Sequence, residues 1–350
     1  MNKKIKSNKH IVAIAFVIFV IVVGIYCCLS VFGKSLSLGA KGKADFTIPT
    51  GFTSSEIATK LETEFSKSYS LGFQLTAKLL SLDSHINPGL YELTDGMSNF
   101  DLVRLFRSGK RKTVRLTIKF ARHYEDVLTL VSEKIEASYE DLVDLTNNRE
   151  YMDSIGFDKA NTICLFLPDT YEFYWNTSAR QFLDRMAKEY KIFWNESRIQ
   201  KAARIDLTPQ EVMTMASIVD QETQHNDEKS KIAGVYMNRL RGSATAGKLQ
   251  ADPTIKFALN DFEIKRVRKG HIERAKSSPY STYEFAGLPP GPICIPSKAG
   301  IDAVLNYEHH NYYYFCAQPN YSGYSNFSAT FSQHLDYARE YQRWLTKEGY

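Results

Sequence analysis

The sequence predicts an α+β protein on a single N-terminal transmembrane helix, with a small α+β domain and a larger mixed α+β domain with long Pro- and Tyr-rich loops. Three observations predict it. Residues 11–32 are 22 consecutive uncharged, mostly apolar residues, long enough to cross a hydrocarbon core as a helix. Between residues 45 and 112, turn and capping signals divide the chain into a strand–helix–helix–strand–helix order. From residue 161 onward, helical periodicities alternate with loops dense in proline, tyrosine and glycine.

The length suits about two domains, and 43% hydrophobic with 13% aromatic residues excludes a largely disordered chain. Lys3, Lys4, Lys6 and Lys9 supply most of the net charge of +5. The remainder is near balance and offers no basic surface for nucleic acid. Those lysines precede the apolar run, so the positive-inside rule places residues 1–10 in the cytoplasm and everything after residue 32 outside. The run exceeds the apolar stretch of a signal peptide and no small-x-small cleavage site follows it, which favours a retained anchor. Five cysteines are too few and too irregular for a disulfide framework. Cys164, Cys294 and Cys316 sit in apolar or aromatic runs, as buried free thiols do. No Cys-x-x-Cys pair occurs, so no zinc ribbon or redox motif is expected, and the histidines lack ligand spacing.

Residues 33–44, rich in Gly, Ser and Lys, read as a tether. The small domain spans 45–112, with a strand at 45–49 and a capped helix at 53–65 that turns Ile57, Ala58 and Leu61 inward. An apolar helix near 72–82 follows, then the Asn87-Pro88-Gly89 turn, a strand at 90–94 and a capped helix at 98–108 closed by Gly109. Roughly 65 residues can fold as a unit. A connecting segment at 113–160 holds an alternating strand at 114–120 and two or three helices over 124–155.

The last region, 161–350, contains helices at 178–194, 208–223, 227–240, 297–305 and 328–348 and an aromatic strand at 311–317. Its organising stretch is TPQEVMTMASIVDQET at 208–223. Thr208 is a helix cap, Pro209 the first helical residue, and Glu211 completes a capping box. Val212, Met215, Ala216 and Val219 recur at helical spacing, so one stripe faces a core. Glu222 continues the edge of that stripe at the C-terminal end. Half-sunk against apolar neighbours and near the negative pole of the helix dipole, its carboxyl is pushed toward the protonated form. A general acid needs that property. A rim glutamate paired with Lys229 or Lys231 fits the same spacing, which leaves both readings open.

The stretch 242–248, GSATAGK, has the spacing of a phosphate loop, but Leu249 replaces the magnesium-binding Ser or Thr and a helix precedes it where a strand is needed. It reads as a turn. No Gly-x-Ser-x-Gly elbow occurs. The five prolines of 277–297 preclude regular structure, and a long irregular loop in a compact domain commonly lines a site. The segments QADPT at 250–254 and YSTY at 280–283 offer the mixture of polar groups and aromatic platforms that carbohydrate sites use.

Seven motifs then stand in order: LPDTY at 167–171, ASIVDQET at 216–223, VYMNRL at 235–240, LQADPTI at 249–255, SPYSTY at 278–283, GLPPGPI at 287–293 and YYYF at 312–315. Through them the chain resembles the endolytic murein transglycosylases, the YceG-like family, from about Phe46 to Trp344. The resemblance implies cleavage of the β-1,4 bond between N-acetylmuramic acid and N-acetylglucosamine within peptidoglycan strands, leaving 1,6-anhydro ends. Glu222 falls on the family's single catalytic glutamate, which acts as acid and then as base. Asn238, Gln250, Asp252, Thr254, Tyr280, Ser281 and Tyr283 become the candidates for binding substrate. The resemblance further implies a LysM-like glycan-binding subdomain at 45–112, carried by TIPTGFTSSEIATKL and NPGLYELTDGMS, and a catalytic domain at 161–350 on the outer, periplasmic side of the bacterial cytoplasmic membrane. The implied partners are peptidoglycan strands and wall-synthesis enzymes such as penicillin-binding proteins; no metal or other cofactor is implied.

Three places depart from the family pattern. A usual Glu-Gly pair is Ile163-Cys164, a usual Pro-Glu-Gly turn is Lys119-Phe120-Ala121, and a usual late histidine is Ser325; no role is assigned to them. Two rivals stay open: a muramidase in which Asp252 or Asp220 activates water, and a catalytically silent glycan-binding scaffold. The topology is directly testable. A reporter fused after Tyr350 is expected to be active only outside the membrane, and cytoplasmic reporter activity would refute the anchored orientation.

Overall fold

A computed structural model describes residues 2–39, 42–65 and 70–349, with side chains from Ile11 onward in the first helix and from Leu71 in the third. Ala40 and Lys41 of the expected tether, and the side chains of the four tail lysines, lie outside the described part. The protein is mixed α+β with one long apolar helix at its N-terminal end. It divides into two compact units. The first comprises Met1–Arg115, Lys134–Glu136 and Glu172–Ser178; the second comprises Leu116–Glu133, Ala137–Tyr171 and Ala179–Tyr350.

In the first unit, α1 (Asn2–Phe32) carries the apolar run Ile11–Phe32. After it come β1 (Lys43–Ile48), α2 (Ser54–Phe65), α3 (Ser70–Leu79), β2 (Gly89–Thr94) and α4 (Asn99–Ser108). β1 and β2 are antiparallel, with Lys43 opposite Thr94 and Ile48 opposite Gly89. Alternation along β2 buries Gly89, Tyr91 and Leu93, because a one-sided sheet turns every second residue to its core. Ser98 and Asp101 form a reciprocal capping box at the start of α4, and Gly109 ends that helix at φ 67°, a left-handed conformation that costs glycine little. The core centres on Phe106, whose ring lies 5.1 Å from Tyr91, 5.8 Å from Phe46 and 6.3 Å from Phe73.

The segment after α1 is not a free tether. Ser35 and Leu36 both donate backbone N–H to the Met97 carbonyl (3.0 and 2.9 Å), and Gly96 returns a bond to Leu36 (3.0 Å). Leu36 is buried in the small core. Leu36 in the core and Leu38 packed against it dock the segment, which its Gly-, Ser- and Lys-rich composition alone does not reveal.

Further along the chain, β3 (Thr113–Ile118) pairs with β4 (Asp169–Tyr174). Between them lie α5 (Tyr124–Ser132), α6 (Tyr139–Asn147) and α7 (Arg149–Ile155). Next come α8 (Ala179–Phe193), α9 (Glu196–Arg204), α10 (Pro209–Glu222), α11 (Asn226–Arg241), α12 (Asp252–Ala258), α13 (Lys269–Arg274) and α14 (Lys298–Leu305). The hairpin β5 (Tyr314–Ala317) and β6 (Ser325–Ser328) precedes α15 (Phe331–Lys347).

The central helix α10 differs from its periodic reading. Every residue from Val212 to Val219 is buried, so the helix is enclosed on all sides rather than along one stripe. Its polar members permit this. Thr214 Oγ1 donates to the Gln210 carbonyl (2.8 Å) and Ser217 Oγ to the Thr214 carbonyl (2.7 Å), which satisfies hydroxyls that would otherwise be costly to bury. α9, α11, α12 and α14 all pack against it.

Replacing Phe106 with Ala removes the ring that joins both strands to α3 and α4. A cost of about 3–5 kcal/mol is expected, read as matching loss of amide-exchange protection in β1, β2 and α4 of the full chain. Protection unchanged there would refute a single cooperative core.

Candidate active site

Glu222 is the last residue of α10, and the extended backbone of Thr223 ends the helix. α11 packs against α10 and brings Tyr236, whose Oη donates to Glu222 Oε1 at 2.5 Å. Tyr236 is sealed from solvent, while Glu222 keeps partial access. Burial is the largest influence on the carboxyl and raises its pKa from 4.5 to about 7. The Tyr236 hydrogen bond pulls it back, the Asp252 charge raises it further, and the Arg239 and Lys256 cations lower it. The result is a carboxyl poised to give a proton and take one back near neutral pH. Neither lysine of the rim alternative pairs with it: Lys229 Nζ is 2.7 Å from Asp220 and Lys231 Nζ 3.9 Å from Glu308.

Two residues earlier, Asp220 has the opposite environment. Its carboxylate accepts from Ser297 N (2.6 Å) and Ser297 Oγ (2.9 Å) and pairs with Lys229, with both side chains 10% exposed or less. Ser297 in turn caps α14. A Cβ at Gly300 would come within 2.5 Å of Asp220 Oδ1, so glycine there permits the close approach. Asp220 therefore joins α10, α11 and α14, and its oxygens are committed to that junction.

The other predicted residues separate into two groups. Asp252, at the start of α12, accepts from Tyr283 Oη at 2.6 Å, and its charge is felt at Glu222. Gln250 is exposed, at φ 52°. Tyr280 packs on Phe257 (4.7 Å) and lines a pocket of about 120 Å³ with Arg122, His123 and Pro292. Arg122 Nη1 donates to Gln221 Oε1 (3.2 Å), next to Glu222 in sequence. Asn238, Thr254 and Ser281 face inward instead. The Asn238 amide donates to the carbonyls of His310 and Tyr312 (both 2.8 Å). Thr254 is fully buried and bonded to Thr282 (2.9 Å). Ser281 is fully buried too, its Oγ without a partner. Among the described residues, no three His, Cys, Asp or Glu gather as a metal site.

Sequence reasoning passed over Tyr236 and Arg239. Arg239 is buried and donates to the carbonyls of Tyr313 (2.7 Å) and Leu249 (2.6 Å), tying the hairpin and the residue 249–250 segment to α11. Tyr236 falls within the VYMNRL motif at 235–240, and its hydroxyl was the available signal, since a buried phenol needs a partner.

This arrangement places a carboxyl of raised pKa at the end of a buried helix, the property that general acid–base chemistry requires. The YceG-like family matches residues 46–340, and the chain belongs to that family. It is 24% identical over 323 residues to the endolytic murein transglycosylase of Bacillus subtilis (strain 168), with 87% of each chain covered. The endolytic murein transglycosylase of Streptococcus pneumoniae (strain ATCC BAA-255 / R6) is also 24% identical, over 350 residues; the match covers 89% of this chain and 62% of that relative. A crystal structure of a YceG-like protein from Listeria monocytogenes superposes with a TM-score of 0.55 at 26% identity, covering 85% of this chain and 99% of the other.

Burial of Glu222 also carries a stability consequence. Its folded-state pKa is raised from 4.5 to about 7, so the folded state binds the proton more tightly than the unfolded one. The contribution of Glu222 to stability is full below about pH 4.5 and is lost as pH rises through 7, about 3 kcal/mol in all. Glu222→Gln keeps an acceptor for Tyr236 and removes this loss. The variant is expected to unfold at a higher temperature than the parent at pH 8, with the gap narrowing toward pH 5. An equal gap at both values would refute the raised pKa.

Proposed function

We propose that this protein is a membrane-anchored endolytic murein transglycosylase, in which Glu222 serves first as general acid and then as general base. The observation that carries the proposal is the half-sunk, Tyr236-bonded carboxyl at the end of α10, in a member of a family whose curated relatives bear that name. Protonated Glu222 gives its proton to the oxygen leaving the muramoyl C1. The carboxylate then takes the proton of the muramoyl 6-hydroxyl as that oxygen bonds to C1. The proton given to one product is recovered from the other, so net charge is unchanged and neither water nor a protein nucleophile is consumed. Intramolecular attack benefits from the high effective concentration of a positioned group. With Tyr236 on Oε1, Oε2 is the oxygen assigned to carry the proton.

Asp252, Gln250, Tyr280 and Tyr283 are assigned to the glycan, because they lie near Glu222 or on accessible loops. Asn238, Thr254 and Ser281 are assigned to holding those loops, since their side chains are engaged or enclosed. Residues 45–112 are assigned as a LysM-like glycan-binding subdomain. Ile11–Phe32 is assigned as the anchor, with residues 1–10 inside and both units outside the bacterial cytoplasmic membrane.

The test is mass spectrometry of purified sacculi digested by the full-length protein. Products with 1,6-anhydromuramic ends and internal cuts are expected; products heavier by one water would make it a muramidase, and binding without cleavage would make it a scaffold. Glu222→Gln should lose activity by about 10⁴-fold or more, at or above the upper end of general-acid effects. Asp220→Asn should only lower activity, since its role is to hold the helix end. A dead Asp220→Asn with an active Glu222→Gln would move the catalysis to the aspartate.

Tyr236→Phe keeps the ring but removes the bond that favours the charged carboxylate. The pKa of Glu222 should then rise above about 7, and the limb on which activity falls with increasing pH should move upward. An unmoved limb would exclude Tyr236 from tuning the acid.

A further inference from the structure

The first unit carries an apolar surface that its own core does not use. On α3, Leu71, Leu75 and Leu79 are 58%, 44% and 71% exposed. They recur every fourth residue, so they form one ridge along the helix. Phe73, Thr76 and Ala77 of the same helix are fully buried or nearly so. Three outward leucines on a ten-residue helix form a patch of the kind that marks an interaction site.

What covers this ridge follows from where α3 touches α1. A Cβ at Gly72 would stand 2.8 Å from the Ser30 carbonyl and 2.6 Å from Asn99 Nδ2, and Asn99 Nδ2 itself donates to Ser30 O at 2.8 Å. α3 therefore lies directly against the last turn of the apolar helix. At about 100° per residue, Gly72 divides α3: the buried residues lie on one flank, and Leu79, Leu75 and Leu71 fan out on the other at roughly 20°, 60° and 100°. The leucine flank thus adjoins the side that meets α1. The 22 residues Ile11–Phe32 rise about 33 Å against a hydrocarbon core of about 30 Å, which puts Ser30 within a few Å of the membrane boundary. Phe32 is exposed, and its ring meets Phe100 of α4 at 5.2 Å. The apolar helix α1 therefore ends beside α3, at the Ser30–Gly72 approach. Lys78 is exposed beside the ridge, placed to extend its ammonium toward lipid headgroups while its stem stays with the leucines.

We infer that α3 is an interfacial membrane helix: its leucine ridge enters the outer headgroup–acyl boundary and seats the small domain on the bilayer at a fixed height. The inference rests on the anchored reading of α1. An amphipathic helix so placed gains the burial of its apolar face without spanning, and the docked segment after α1 leaves little slack for the domain to lift away.

The test is carbene photolabelling of the full chain in phosphatidylethanolamine–phosphatidylglycerol vesicles, with a diazirine reagent dissolved in the bilayer and labelled residues mapped by mass spectrometry. Label is expected on residues 11–32 and on 71–79, the latter several-fold above the α2 peptide. The triple variant Leu71→Gln, Leu75→Gln, Leu79→Gln should lose label on α3 and keep it on 11–32. Label confined to residues 11–32 overturns the inference and leaves the anchor standing; no label on either overturns both. Leucines protected from label but cross-linked between copies would make the ridge a contact between chains and overturn the lipid assignment. The wild-type map decides the question even if the triple variant misfolds.

Discussion

The buried junction of Asp220, Lys229 and Ser297 is the constraint on which the second unit depends. Removing two opposite charges from water is expensive, and their attraction offsets that cost only when the remaining hydrogen-bonding capacity is filled. Here Lys229 and both the N–H and hydroxyl of Ser297 reach one carboxylate. The close approach at Gly300 leaves no space for a larger residue. The junction fixes the last turn of α10 against α11 and α14, so Glu222, two residues on, inherits its position. Conversion of that pair to apolar residues could leave the fold as stable, but the directional hold on the helix end would be gone.

Two acids separated by one residue are thus driven to different tasks by their surroundings. Asp220 meets a cation and two hydrogen-bond donors. Glu222 meets burial, one phenol and the charge of Asp252, with Arg239 and Lys256 as counterweights. Desolvation is the larger influence, so the carboxyl keeps its proton to about neutral pH. The same desolvation makes the ionised carboxyl a local liability in the folded protein. Buried Arg239 serves two ends at once: its guanidinium holds the Tyr313 and Leu249 carbonyls while its charge limits how far the Glu222 pKa rises.

The first unit follows a different economy. A small core around Phe46, Phe73, Tyr91 and Phe106 is stitched to α1 through Asn99 and through the backbone bonds of residues 35–38. Its outward leucines gain nothing from that core. A lipid surface accounts for them at no cost to the packing, and it makes the domain's height above the membrane a property of the fold rather than of a linker.

Much of the local structure could be read from the sequence because local energetics decide it. The cap at Ser98, the box at Thr208, the stop at Gly109 and the apolar run of residues 11–32 each depend on neighbours within a few residues. So does the placement of Glu222 at the edge of an apolar helix end. The short elements β4, β6, α12 and α13 were not legible, since four to seven residues carry too little periodicity to be distinguished from loop. The course of the Pro-rich stretch was equally hidden. It is fixed by contacts distant in sequence, Ile293 N to Ser217 Oγ (3.0 Å) and Ile295 N to the Ala121 carbonyl (2.8 Å). Motif spacing could not separate Asn238, Thr254 and Ser281, turned inward, from Gln250 and Asp252, or single out Tyr236 as the partner of the acid. The sequence by itself determined the elements and nominated the carboxylate. Only the tertiary structure decided which side chains meet it, because burial and hydrogen-bond geometry between distant segments, not spacing, set both a group's partners and its pKa.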